Sequence, residues 1–88
     1  MSSQVLRIHP NDNVLVALTD LLAGDAVSCD GVTYTIKGSI PAKHKVAMHD
    51  MSSGAIVTMY GVTIGKTTRS IQSGEAIGTH NLHHEASP

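Results

Sequence analysis

One eight-residue pattern occurs three times and limits what the chain can fold into. Asp20-Leu21-x-x-Gly24-Asp25-Ala26-Val27 is echoed by Asp50-Met51-x-x-Gly54-Ala55-Ile56-Val57 and by Ser70-Ile71-x-x-Gly74-Glu75-Ala76-Ile77. Each copy opens on Asp or Ser, continues with an apolar residue and two variable ones, reaches Gly and ends in an apolar pair. This is the pattern of a turn leading into a strand: the opening side chain can accept a hydrogen bond from the turn backbone, and Gly can adopt the positive φ that the exit requires. The apolar second residue is then expected to plug into the core. Because Asp20, Asp50 and Ser70 hold equivalent places, they are read as turn caps and not as an acid–base pair. Gly24 and Gly54 are further apart than Gly54 and Gly74, so the pattern describes one compact fold reusing a turn, not a solenoid.

Between these turns the segments are short and β-like, at 4–8, 14–18, 32–36, 46–48 and 56–60. Glycines at 24, 31, 38, 54, 61, 65, 74 and 78 leave little room for a long helix. The helical alternative is 11–22, where Val14, Leu18, Leu21 and Leu22 have helical spacing. The unbroken run Val14-Leu15-Val16-Ala17-Leu18 suits a strand buried on both faces, and strand is the expectation. Cys29-Asp30-Gly31-Val32 reads as a hairpin turn of type I′, and the stretch from Tyr60-Gly61 to Ile64-Gly65 as a second close reversal. The fold class is therefore mainly β, a small barrel or sandwich-like arrangement with little regular helix. The composition turns polar after Leu82, so the domain is expected over 1–82 and a polar tail over 83–88.

With 88 residues the chain forms a single domain, and a domain so small hides only roughly 60% of its unfolded surface. It has no Phe or Trp and two Tyr, so Val, Ile, Leu, Met and Ala must build the core. That leaves room for burial against a partner or a second copy. The lone Cys29 cannot close an internal disulfide, which fits a reducing compartment. The first residues lack the basic and apolar regions of a leader, and no apolar run approaches the ~20 residues of a membrane span. A soluble, cytoplasmic protein without membrane association is expected. The basic residues Arg7, Lys37, Lys43, Lys45, Lys66 and Arg69 are scattered and the net charge is −1, which argues against nucleic acid. Gly65-Lys66-Thr67 lacks the first glycine of a phosphate-binding loop.

A combination of motifs resembles a known family. Ile40-Pro41-x-x-His44-Lys45-Val46-Ala47, Asp50-Met51-x-x-Gly54, Tyr60-Gly61-x-x-Ile64-Gly65, Ser70-Ile71-x-x-Gly74-Glu75 and Thr79-His80-Asn81-Leu82 resemble the small SAF-type module of the altronate and galactarate dehydratases. Ile8-His9-Pro10-x-Asp12-Asn13-Val14-x-Val16 is a looser match to the first strand and turn of that module, so the resemblance covers about 5–82. It implies a small β-clip fold, as in antifreeze-like domains. It implies a hydro-lyase that removes water from a sugar acid to leave a 2-keto-3-deoxy product. The chain would be the small subunit or domain, inactive by itself, beside a large dehydratase subunit holding most of the Fe(II) or other divalent metal site. The related sulfolactate sulfo-lyase, with sulfite as leaving group, is the alternative; a non-catalytic carbohydrate- or protein-binding module is another. Two motifs depart from the family pattern. Lys43 stands where Gly commonly precedes the His-Lys pair, and of the terminal His-x-His-x-His-Asn run only His80 survives before Asn81.

The resemblance singles out three residues. His44, at the entrance to a strand, is the candidate catalytic imidazole; free imidazole, with a pKa near ~6.5, can shuttle protons, ligate a metal or bind an anion. Lys45 is the candidate partner of the substrate carboxylate. His80 is the candidate metal contributor, to a site shared with the larger partner. The ordinary alternatives are a histidine bonded to turn backbone, a solvated lysine and an adventitious histidine. His49 is expected on one strand face with Lys45 and Ala47, His83 and His84 are weighed as further ligands, and Cys29 is read as an unreactive thiol.

Overall fold

The computed structural model describes residues 4–84. Its described residues form nine strands and no helix: β1 (Val5–Leu6), β2 (Val14–Ala17), β3 (Ala26–Cys29), β4 (Val32–Thr35), β5 (Lys45–Ala47), β6 (Ile56–Met59), β7 (Val62–Thr67), β8 (Ala76–Ile77) and β9 (Leu82–His84). The mainly β expectation holds. The run at 14–18 is the strand β2, because both of its faces are buried: Leu15 and Ala17 enter one apolar cluster, Val14 and Val16 the other. A helix would have kept one side for solvent.

An antiparallel sheet in the order β1-β2-β5-β8 runs through the middle of the molecule. On one side lies the hairpin β3-β4, on the other the three-stranded sheet β6-β7-β9. Both hairpin turns carry positive φ at two successive central residues, 52° and 79° at Asp30-Gly31 and 58° and 76° at Tyr60-Gly61, as type I′ geometry requires. In β6-β7 the register shifts after Val57 and leaves Ile64 as a bulged residue. The boundary expected after Leu82 does not fall there. β9 carries His83 and His84 into pairing with Lys66 and Gly65, so these two histidines are sheet and not tail; 85–88 lie outside the described residues.

The repeated turns behave as their sequences imply, with one correction. Leu21, Met51 and Ile71 are buried, and Gly24, Gly54 and Gly74 have φ of 89°, 83° and 87°. The opening aspartates, however, cap the facing turn instead of their own: Asp20 Oδ1 accepts from Ala42 N–H at 2.9 Å and Asp50 Oδ1 from Ser73 N–H at 2.9 Å. In the first and third turns the residue after Gly caps the turn's own backbone, Asp25 accepting from Leu22 N–H and Glu75 from Gln72 N–H. In the second, where Ala55 follows Gly54, the Thr67 hydroxyl accepts from Ala55 N–H and donates to Ser52 O.

That correction exposes a fourth copy. Ser39-Ile40-Pro41-Ala42-Lys43-His44-Lys45-Val46 takes the same path, with Lys43 at φ 75° in the glycine position. The same backbone bond recurs in all four turns: Gly24 N–H to Ile36, Lys43 N–H to Ala17, Gly54 N–H to Thr67 and Gly74 N–H to Ala47. The copies meet in pairs, Leu21 bridging Ile40 and Met51 bridging Ile71. Each pair anchors its own buried cluster, and the central sheet separates the two.

Candidate functional site

The turn at 41–44 and the strand that follows it position two of the three sequence-predicted residues. His44 N–H donates to Pro41 O at 3.1 Å, and the positive φ falls on Lys43, the third residue, as in a type II turn. Ala17 holds this turn from both sides, accepting from Lys43 N–H at 2.6 Å and donating to His44 O at 2.9 Å. With its backbone tied to β2 and to Asp20, the turn presents Lys43 and His44 exposed and Lys45 half-buried.

The opposite wall is the turn joining β8 to β9. Lys45 pairs with Ile77 in the sheet, which brings Gly78 and Thr79 alongside. Asn81 holds that turn closed: its Oδ1 accepts from Gly78 N–H at 3.0 Å, its Nδ2 donates to Ala76 O at 2.9 Å, and the residue is 0% exposed. Between the two walls lies a groove of about 280 Å³ lined by Lys43, His44, Lys45, Ile77, Gly78, Thr79 and His84. No carboxylate lines it among the described residues, so it is a cationic, hydrogen-bonding site suited to an anion. Two other grooves, of about 230 and 270 Å³, sit at the Leu21–Ile40 and Met51–Ile71 bridges. They occupy equivalent places in the repeat and follow from its geometry. The 41–45/77–84 groove combines a type II turn with the closing β8–β9 turn.

With this geometry in view, the family comparison is decisive: the model described as altronate/galactarate dehydratase SAF domain matches residues 3–85. The chain belongs to this SAF domain family. It is similar to the altronate dehydratase of Escherichia coli (strain K12), with 41% identity over 78 residues, covering 89% of this chain and 16% of that protein. It is similar also to the altronate dehydratase of Bacillus subtilis (strain 168), with 36% identity over 76 residues, covering 86% of this chain and 15% of that protein. A third relative is the (2R)-sulfolactate sulfo-lyase subunit alpha of Chromohalobacter salexigens, 37% identical over 49 residues, which span 56% of this chain and 52% of the subunit. The chain thus matches a small part of the dehydratases and about half of the sulfo-lyase subunit.

Within this SAF domain the predicted residues divide. His44 and Lys45 share the groove. His80 lies exposed in the β8–β9 turn, its ring beside Gly78 but not among the groove's lining residues. His49 does not share a strand face with Lys45, because β5 ends at Ala47 and His49 is exposed beyond it. His83 is exposed on β9 opposite Lys66. A divalent metal held by this domain alone needs converging ligands, and among the described residues no three His, Cys, Asp or Glu side chains come together. The described residues do not by themselves form a self-contained metal site.

Sequence reading did not assign Lys43 to the site, and it weighed His84 only as a metal ligand in a polar tail. Lys43 was hidden because a lysine in the glycine position breaks the repeat, although Ser39-Ile40-x-x-Lys43-x-x-Val46 aligns with Ser70-Ile71-x-x-Gly74-x-x-Ile77. The place of His84 in the groove was hidden because it comes from pairing with Gly65, which no local pattern announces.

Proposed function

We propose that this chain serves as the SAF part of a sugar-acid dehydratase of altronate/galactarate type, the small partner of a large catalytic part. The observation that carries the reading is the coincidence of family membership with a groove that offers lysine and histidine side chains and, among the described residues, no acid. Removing water from a sugar acid needs the carboxylate held, the proton on the adjacent carbon taken and the departing hydroxyl protonated. As that C–H bond breaks, negative charge grows on the carboxylate, so a fixed ammonium beside it stabilises the transition state more than the ground state. Lys45, half-buried and held by the sheet, has that role. The proton on the adjacent carbon passes to a base of the large catalytic part, and His44 protonates the leaving hydroxyl; the C–H electron pair becomes the new double bond, the C–O bond breaks, and water departs. The enol so formed becomes the 2-keto-3-deoxy acid.

Fe(II) or another divalent metal belongs to the large part in this reading, with His80 as one outside contributor, and no step is derived through it. The reading also takes the fold as a β-clip and the location as cytoplasmic. A second reading keeps the lyase role with sulfite as leaving group; the similarity to a sulfolactate sulfo-lyase subunit favours it.

The test is reconstitution with the large catalytic partner and Fe(II), following keto-acid formation from altronate and galactarate. Turnover should depend on this chain, and His44→Ala should lower kcat by roughly 100-fold or more while the complex still assembles. Equal turnover with and without the chain sinks the proposal. If His44→Ala and His80→Ala abolish only assembly, the chain is a docking module.

A further inference from the structure

The mechanism above uses His44 and Lys45 and leaves Lys43 without a task, yet Lys43 is the residue this turn accommodates least easily. Its φ of 75° lies in the left-handed region, which disfavours any residue with a Cβ. The three sister turns meet the same demand with Gly24, Gly54 and Gly74. Nothing in the packing calls for lysine: the residue is exposed, and its N–H bond to Ala17 is one any residue but proline could make. A Cβ at Gly24 or Gly54 would have open space around it, so the turn tolerates a side chain without needing one. Strain retained at an exposed residue lining a groove points to binding.

The charge in the groove says what is bound. One ammonium, that of Lys45, answers one carboxylate. Lys43 brings a second to the same groove of about 280 Å³, with His44 and His84 beside it and no opposing acid among the described residues. We infer that Lys43 is a specificity-determining residue that favours acids carrying two anionic groups, either two carboxylates or a carboxylate and a sulfonate, over singly charged sugar acids. The inference rests on the functional reading above, which seats the acid in this groove.

Titration of the full chain, followed by the His44 and His84 ring resonances and the amides of 43–45, tests this with three probes. Galactarate supplies two carboxylates, sulfolactate a carboxylate and a sulfonate, and altronate a single carboxylate. The doubly charged probes should bind roughly fivefold more tightly than altronate at low salt, about the value of one exposed charge pair at contact distance in water. A preference for one of the two doubly charged probes identifies the second anionic group. Lys43→Arg should keep the preference, and Lys43→Ala and Lys43→Gly should both lose it. Lys43→Gly should also melt roughly 4 °C above Lys43→Ala, because glycine relieves the backbone strain that alanine retains. An unchanged preference in Lys43→Ala overturns the inference and leaves the groove standing. Failure of all three acids to bind overturns it as well, and the reconstitution assay then decides the functional reading separately.

Discussion

At the scale of single residues, the left-handed position of the turn shows how one backbone demand can be met under different constraints. Gly24 and Gly54 face open space, whereas a Cβ on Gly74 would run into the carbonyl oxygen of Thr35. Lys37 N–H bonds to Gly74 O at 3.1 Å, so the two backbones are in direct contact there. Gly24→Ala and Gly54→Ala should therefore cost only the φ strain, about 1 kcal/mol each. Gly74→Ala should cost about 3 kcal/mol or more, since backbone must move to admit the methyl group. Denaturant unfolding of the three variants checks the ranking, and equal losses would refute it. The three glycines were legible because glycine is the cheap solution to a positive φ. Lys43 was not legible, because nothing in its own chemistry indicates that backbone conformation.

At the scale of elements, the loop before β2 secures the β6–β7 hairpin. Asp12 is 2% exposed, and its carboxylate accepts from His9 N–H, Tyr60 N–H and Gly61 N–H at 2.9–3.1 Å. Asn13 continues the contact along β6, its Oδ1 accepting from Thr58 N–H at 2.8 Å and its Nδ2 donating to Ile56 O at 2.9 Å. Two short polar side chains thus occupy backbone groups of β6 and of the hairpin turn. Asp12→Ala would strand amide donors in a buried place, at a cost of about 2–4 kcal/mol. Amide exchange at Tyr60 and Gly61 should accelerate together with that loss, and unchanged exchange at both would show that the cap is dispensable. The Asp-Gly hairpin was readable from its turn residues. The tie from Asp12 to Tyr60 was not, because it joins residues 48 apart in the chain. The same holds for β9, where His83 and His84 look like tail in a polar stretch and become sheet only by pairing with β7.

At the scale of the whole molecule, the four turns form two pairs, and the two pairs share one central sheet. Leu21 and Ile40 belong to one cluster, Met51 and Ile71 to the other, while β2 and β5 send side chains into both. Neither cluster can be lost without exposing a face of those strands. Leu21→Ala and Ile71→Ala, one in each cluster, should each cost about 2–5 kcal/mol, and each should still unfold in a single transition. Two separate transitions in either variant would show that the halves fold independently. The same arrangement makes the site: the central sheet sets Lys45 against Ile77, and the pairing of β9 with β7 adds His84 to the groove. By itself the sequence determined the mainly β class, the turns, the double burial of β2 and the candidates His44 and Lys45, because these depend on local chemistry and on motifs a few residues long. Tertiary structure alone decided that 39–46 is a fourth turn, that the aspartates cap across pairs, and that Lys43 and His84 join one groove while His80 stays outside its lining. Those outcomes depend on which strands pair and in what register, and pairing is a property of distant segments that no short stretch of the chain encodes alone.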